Sequence, residues 1–171
     1  ALIYGIFVLI GALASLFFLF SILGWILETL SYLTMEGVFL NRSILLGPWI
    51  PLYGICGVLS VTMLHRFAKN PILAFCMNGL LYSVIGYLSD FTVQMIWHAD
   101  LHKISQYFRP SLLPPFFADA VFLGLIGCTC QYFIAPKWKQ VTRKIPLWFL
   151  LCVCVLLGML MLLDVFFAFY R

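Results

Sequence analysis

Charged residues are scarce in this 171-residue chain, at 9% of the positions, and only six of them are acidic. Hydrophobic residues, by contrast, make up 64% of the chain. A soluble domain of this size has too little interior to hide so much apolar surface from water. The composition therefore excludes a soluble globular fold and predicts a protein that is surrounded by lipid.

Nucleotide-binding patterns are also missing, because the chain contains no Gly-x-x-x-x-Gly-Lys-Ser/Thr phosphate loop. Any ATP-driven activity would therefore need a separate ATPase chain or other subunit. A long basic tract is missing as well, and the net charge is only +4. The short basic loops favour membrane lipids with anionic headgroups as partners and give no indication of nucleic-acid binding.

The sequence has few clusters of residues that could form a disulfide, a metal site or a catalytic site. All six cysteines lie inside apolar runs, where they behave as small hydrophobic residues, so we predict neither disulfides nor a cysteine metal site. His98, Asp100 and His102 resemble a metal site only in that the two histidines would share a helix face. Both residue types are ordinary at a membrane interface, so no metal is assigned. We predict no catalytic residue and no cofactor.

Several long apolar runs remain, and a bilayer core of about 30 Å needs about 20 apolar residues per helix. The sequence therefore predicts an all-α, polytopic transmembrane bundle that forms a single integral membrane domain over residues 1–171. The first run is longer than one perpendicular span, so it must tilt, kink near Gly24 or continue along the interface. The predicted spans cover, roughly, residues 6–32, 51–65, 71–97, 116–134 and 146–169.

Residues 38–54 depart from this apolar pattern because glycine and proline are dense there. Such a composition predicts an ordered loop, a re-entrant segment or a broken helix entry. The residues expected to shape this structural loop are Gly47, Pro48, Pro51 and Tyr53.

Orientation follows from the Lys and Arg residues in alternate loops, because cytoplasmic loops carry more of them. The more basic side includes the predicted basic turn at residues 136–144, which places the N-terminus in the cytoplasm and the C-terminus outside. The six cations of that side are Arg66, Lys69, Lys137, Lys139, Arg143 and Lys144; the four of the other side are Arg42, Lys103, Arg109 and Arg171.

Four carboxylates interrupt the apolar spans: Glu28, Asp90, Asp119 and Asp164. In the predicted topology each lies about 5 to 11 Å from the outward end of its helix. They could form an acidic vestibule for a cation, an amine or a proton, with Asp119 and Asp164 on an ion pathway. Alternatively, they stabilise helix ends or subunit contacts. Asp119 in particular would complement the dipole of its helix in the first turn.

Residues 20–28, 36–43 and 46–54 contain a Ser-x-x-Gly-Trp helix that reaches Glu28, then Asn41-Arg42 and Gly47-Pro48. This pattern resembles the small bacterial membrane proteins of the putative ABC-transporter type IV family. Ser43 stands where that family usually has glycine. The second half departs further, with Gly86-Tyr87 where the family usually shows a Glu-Tyr pair. The resemblance implies a multi-span protein of the bacterial cytoplasmic membrane.

The segment that resembles this family could also form a binding site, because Arg42 could fold back across the loop to pair with Glu28. We therefore predict a transport-related, permease-like protein that binds or moves a small substrate or cation near the outer leaflet. The predicted binding residues are Glu28, Asn41, Arg42 and Asp90. One alternative is a non-catalytic scaffold or accessory subunit of a larger complex, and a second is a membrane-embedded enzyme. The partner chain would be a separate ATPase, another subunit or a second copy of this chain in a homo-oligomer.

Overall fold

The computed structural model describes residues 1–39, 47–96 and 124–170, and no strand occurs among them. Their fold is all-α, as predicted. Residues 124–129 are α-helical and lead into a π-helical turn, Cys130–Ile134. The other helices are α1 (Leu2–Glu36), α2 (Pro51–Met63), a 3-10 turn (His65–Phe67), α3 (Pro71–Ile96), α4 (Ala135–Lys144) and α5 (Leu147–Tyr170).

Helix α1 is 35 residues long because its sequence contains no proline and is rich in leucine, a strong helix former. It passes through Gly24 without interruption. The helix ends where Gly37 adopts a left-handed conformation, with φ of 69°, and donates its N–H to the Leu33 carbonyl at 3.0 Å. Glycine adopts this conformation without steric strain, which makes it the usual helix terminator.

Helix α3 begins with a standard capping arrangement. The Asn70 side-chain oxygen accepts the backbone N–H of Ile72 at 3.2 Å, and Pro71 occupies the first helical position. Proline suits that position because its missing N–H would have no helical partner there.

The predicted basic turn at residues 136–144 is instead helical, and it forms most of α4. Pro136 does not prevent this, because it lies in the first turn of α4, directly after the π-helical turn. The chain becomes extended only at Ile145, before α5 begins.

The chain divides into two compact units. Unit 1 contains Ala1–Val58 and Ile134–Arg171, and unit 2 contains Leu59–Phe133. In unit 1, α1 and α5 run parallel: Gly11 lies against Leu150, and further along Phe18 packs against Met161. Helix α4 also packs on α1, where the Trp138 indole N–H donates to the Ser15 hydroxyl at 2.9 Å.

Two of the described helices are long and apolar enough to cross a membrane, at Leu2–Leu30 and Leu147–Tyr170. Shorter apolar helices occur at Pro51–Met63 and Pro71–Ile85. Length and composition thus provide two candidate spans among these residues.

Candidate functional site

Asp164, on α5, is a buried carboxylate that binds the second half of the predicted loop, residues 38–54. Its Oδ2 atom accepts the backbone N–H of Gly47 at 2.7 Å and the indole N–H of Trp49 at 3.1 Å. Trp49 is itself buried and packs with Phe18 and Met161. Hydrogen bonds to an ionised group are stronger than neutral ones, so they offset part of the cost of burying the carboxylate.

Glu28, on α1, holds the other end of the same segment. The Tyr53 hydroxyl donates to its Oε1 at 2.6 Å. The Tyr53 ring lies directly on Gly24, where an added Cβ would overlap the ring. Glycine at position 24 therefore allows the phenol to lie along α1 and reach the carboxylate one turn away.

Between these two anchor points the chain docks on α1 through its backbone. The Ile50 N–H donates to the Ser21 carbonyl at 3.1 Å, and the Ser21 hydroxyl donates to the Phe17 carbonyl at 2.7 Å. We call residues 47–53 the acid-bound segment, since carboxylates from two different helices bind it. Its non-helical part, residues 47–50, lies beside Ser21, well inside the length of α1.

Thr29 adds an unsatisfied polar group next to Glu28 in sequence. Its side chain is only 4% exposed, and its hydroxyl oxygen has no hydrogen-bond partner among the described residues. Buried hydroxyls normally have a partner, so this one is a group that a bound polar ligand or water could satisfy.

The structure brings together four of the residues singled out from the sequence: Glu28, Gly47, Tyr53 and Asp164. Pro51 begins α2 and Pro48 lies in the acid-bound segment. Asp90 lies on α3, in unit 2, so its sharing of a site with Glu28 stays a prediction. The remaining predicted residues lie outside the described residues, namely Asn41, Arg42, His98, Asp100, His102 and Asp119.

A second polar cluster, which the sequence did not predict, lies in unit 2. We call it the amide cluster. Asn78 is fully buried; it accepts the Ser60 hydroxyl at 2.5 Å and donates to the Gln131 side-chain oxygen at 3.0 Å. Gln131 in turn donates to the Leu64 carbonyl at 2.9 Å. The sequence signal for this cluster is an uncharged amide, Asn78 or Gln131, inside each of two apolar runs.

Close packing surrounds this amide cluster. A Cβ at Gly127 would lie 2.6 Å from the Asn78 Cβ, so only glycine fits at that position. Gln131 belongs to the π-helical turn, a local widening of the helix that often occurs at functional sites. The cluster is hydrogen-bonded within itself, which suits a rigid connection between α2, α3 and the π-helical turn.

Within residues 1–39, 47–96 and 124–170, no group of three or more His, Cys, Asp or Glu residues could hold a metal ion. The six cysteines are all free thiols.

The chain matches a known protein family. The family described as "Putative ABC-transporter type IV" matches residues 15–169. No curated protein and no solved structure matched the chain. The family match covers the acid-bound segment and both helices that bind it, and it extends through the second half of the chain. This chain belongs to the putative ABC-transporter type IV family.

Proposed function

We propose that this chain is a transport-related, permease-like membrane subunit that binds a small cation, or a cationic small molecule, at the acid-bound segment. One observation carries the proposal: Glu28 and Asp164, from two different apolar helices, both bind residues of the acid-bound segment. A carboxylate in an apolar helix is costly to maintain, and such residues commonly mark ion or substrate pathways. The family's name supports a role related to ABC transport.

The membrane location is part of the proposal. Helix α5 carries a stripe of exposed large apolar side chains, with Leu156, Leu160, Leu163 and Phe167 each between 45% and 59% exposed. An apolar surface of this extent needs a lipid or protein neighbour. We place the five predicted spans in the bacterial cytoplasmic membrane, with the N-terminus in the cytoplasm and residues 47–50 as a re-entrant segment.

The polar groups at the segment suit cation binding. Glu28 and Asp164 supply negative charge at the segment, and Thr29, the next residue in sequence after Glu28, has a buried hydroxyl oxygen without a described partner. A cation that approached either carboxylate would compete with the Tyr53, Trp49 or Gly47 donors. Cation binding would thereby loosen the acid-bound segment, which couples occupancy to a change in structure. Asn41, Arg42 and Asp90 are proposed to complete the site, and Asp119 to extend the ion pathway.

A scaffold or accessory subunit is the second candidate, and one observation favours it. The Glu28 and Asp164 hydrogen bonds to Tyr53, Gly47 and Trp49 all fasten the chain to itself, which is what a rigid docking platform requires. In that case the loop would bind another subunit, such as a separate ATPase or a second copy of the chain. A membrane-embedded enzyme remains the third alternative.

Thermal unfolding of the purified protein with added Na⁺, K⁺ or tetramethylammonium separates these candidates. A cation that binds only the folded state raises Tm by mass action. We expect at least one of the three to raise the Tm of the wild type, and this rise to disappear in Glu28→Gln and Asp164→Asn.

Thr129→Ala is the matched control, because the Thr129 side chain is exposed and its hydroxyl donates to the Leu125 carbonyl of its own helix. It should keep the full response to the cation. If no cation raises the wild-type Tm, or if Glu28→Gln responds as the wild type does, the cation site is wrong. A lower Tm in Glu28→Gln with no cation response in any variant would favour the scaffold.

A further inference from the structure

We infer that α4, with the first turn of α5, forms a binding surface for anionic phospholipid headgroups. Within its ten residues α4 carries four cations, Lys137, Lys139, Arg143 and Lys144, and every one of them is exposed. The sequence contains no Asp or Glu between Asp119 and Asp164. The charge of this surface is therefore not neutralised by acids on α4 or along α5 before Asp164.

The orientation of α4 is fixed from its inner side. Ala135 is buried, while Trp138 and Thr142 are half-buried, and these positions recur with helical spacing. The bond from the Trp138 indole to the Ser15 hydroxyl fastens this stripe to α1. Lys137 and Lys144 consequently lie on the opposite, outer side of α4, and Lys139 and Arg143 are exposed on its flank.

Aromatic residues follow directly after the cations. Trp148 is 69% exposed and Phe149 is 50% exposed, and both lie in the first turn of α5. Exposed tryptophan next to Lys and Arg, at the end of a long apolar helix, is typical of the boundary between hydrocarbon and headgroups. The anions at this boundary are the phosphate diesters of lipid headgroups, so we expect the four cations to bind them. Trp148 would lie slightly deeper and contact the acyl chains.

This inference rests on the membrane location proposed above and is independent of the cation site. It goes further by specifying the lipid class. A basic residue near an anionic membrane surface contributes a factor of about five to the affinity, and salt weakens this contribution. Neutralising two cations of α4 should therefore abolish most of the preference for anionic lipid.

The test uses the full chain in phosphatidylcholine vesicles that contain a smaller fraction of phosphatidylglycerol. Bromine, a quencher of tryptophan fluorescence, is placed on the acyl chains of one lipid or the other. The contribution of Trp148 is the difference between the wild type and Trp148→Phe. We expect stronger quenching per brominated phosphatidylglycerol than per brominated phosphatidylcholine, and a smaller difference at high salt.

Arg143→Gln/Lys144→Gln should remove this preference. The matched control is Arg66→Gln/Lys69→Gln, which removes the same two charges from exposed positions in unit 2. It should leave the preference in place. Equal loss in both variants would mean that net charge, not the α4 surface, sets the preference. Equal quenching by both lipids in the wild type would overturn the inference, and quenching by neither would overturn the membrane location as well.

Discussion

Single side chains determine how the acid-bound segment is held. One oxygen of Asp164 accepts two N–H groups, and one oxygen of Glu28 accepts a phenol. Removing one partner takes this hydrogen bond from the other, and a typical intramolecular hydrogen bond contributes about 1 kcal/mol to stability. The acids and the segment are therefore mutually dependent.

Gly24→Ala is predicted to destabilise the protein, because the added methyl would overlap the Tyr53 ring. Forcing extra volume into a packed contact typically costs about 1 to 3 kcal/mol. Displacement of the ring would also lengthen the hydrogen bond to Glu28. The measurement is the free energy of unfolding of the purified protein in detergent.

Gly5→Ala is the matched control, since a Cβ at Gly5 would lie more than 4 Å from any described atom outside the local helix backbone. Gly5 lies in the first turn of α1, where the gain in helix propensity is no greater than at Gly24. Gly5→Ala should be neutral or slightly stabilising. If the two variants behave alike, the tight contact between Gly24 and Tyr53 does not exist in the folded protein.

At the scale of elements, the amide cluster joins three parts of unit 2. Ser60 lies on α2, Asn78 on α3 and Gln131 in the π-helical turn. Hydrogen bonds between side chains give a packed interface a specific register, which apolar contacts alone define poorly. The cluster therefore sets how these three elements align.

Asn78→Leu is predicted to destabilise unit 2 more than a typical surface substitution does. The heavy atoms of leucine branch as those of asparagine do, but leucine would leave the Ser60 hydroxyl and the Gln131 side-chain oxygen without the Asn78 hydrogen bonds. Each buried group that loses its partner costs about 1 to 3 kcal/mol. Hydrogen exchange of the α3 amides should report faster local opening.

Gln131→Leu in the Asn78→Leu background tests whether these two residues act together. A coupled pair gives a double variant that is less destabilised than the sum of the two single variants. Strict additivity would show that Asn78 and Gln131 contribute separately. Thr129→Ala, on the exposed side of the neighbouring helix turn, should change the exchange rates little.

At the scale of the molecule, the parallel packing of α1 and α5 bears on the proposed topology. Gly11 lies near the start of α5, and Phe18 lies near its middle, so both helices begin at the same end of unit 1. If both helices cross the membrane, the chain between them must cross it an odd number of times. Three spans between α1 and α5 satisfy this condition and give the proposed total of five.

Cysteine labelling tests the proposed orientation in bacterial cells. Val38, after the end of α1, is 53% exposed, and Lys139 on α4 is also exposed. We expect Val38→Cys to react with a membrane-impermeant maleimide in intact cells. Lys139→Cys should react only after the membrane is permeabilised.

The wild type measures the labelling of the native cysteines, of which Cys76 and Cys152 are exposed. The reverse pattern would place the N-terminus outside. Labelling of both positions in intact cells would contradict the parallel, membrane-crossing arrangement of α1 and α5.

The sequence predicted the all-α class because long apolar runs without proline favour helices. It also identified Glu28, Gly47, Tyr53 and Asp164 as candidate residues, since they lie in or beside apolar runs where acids, glycines and prolines are unusual. The prediction of a turn at residues 136–144 was wrong, because these residues form a helix. Dense charges between two apolar runs are typical of a turn, but here the half-buried residues recur with helical spacing. The sequence did not predict the pairing of Asn78 with Gln131, because these two residues are distant from each other in the chain.

What the sequence determined by itself was composition and local pattern: the apolar character, the helices and the family pattern around residues 20–54. Only the tertiary structure decided that Asp164 binds Gly47 and Trp49, more than a hundred residues away in the chain. It likewise decided that Tyr53 is a partner of Glu28. The physical reason is that helix formation depends on neighbouring residues, whereas hydrogen-bond partners depend on which helix faces pack together.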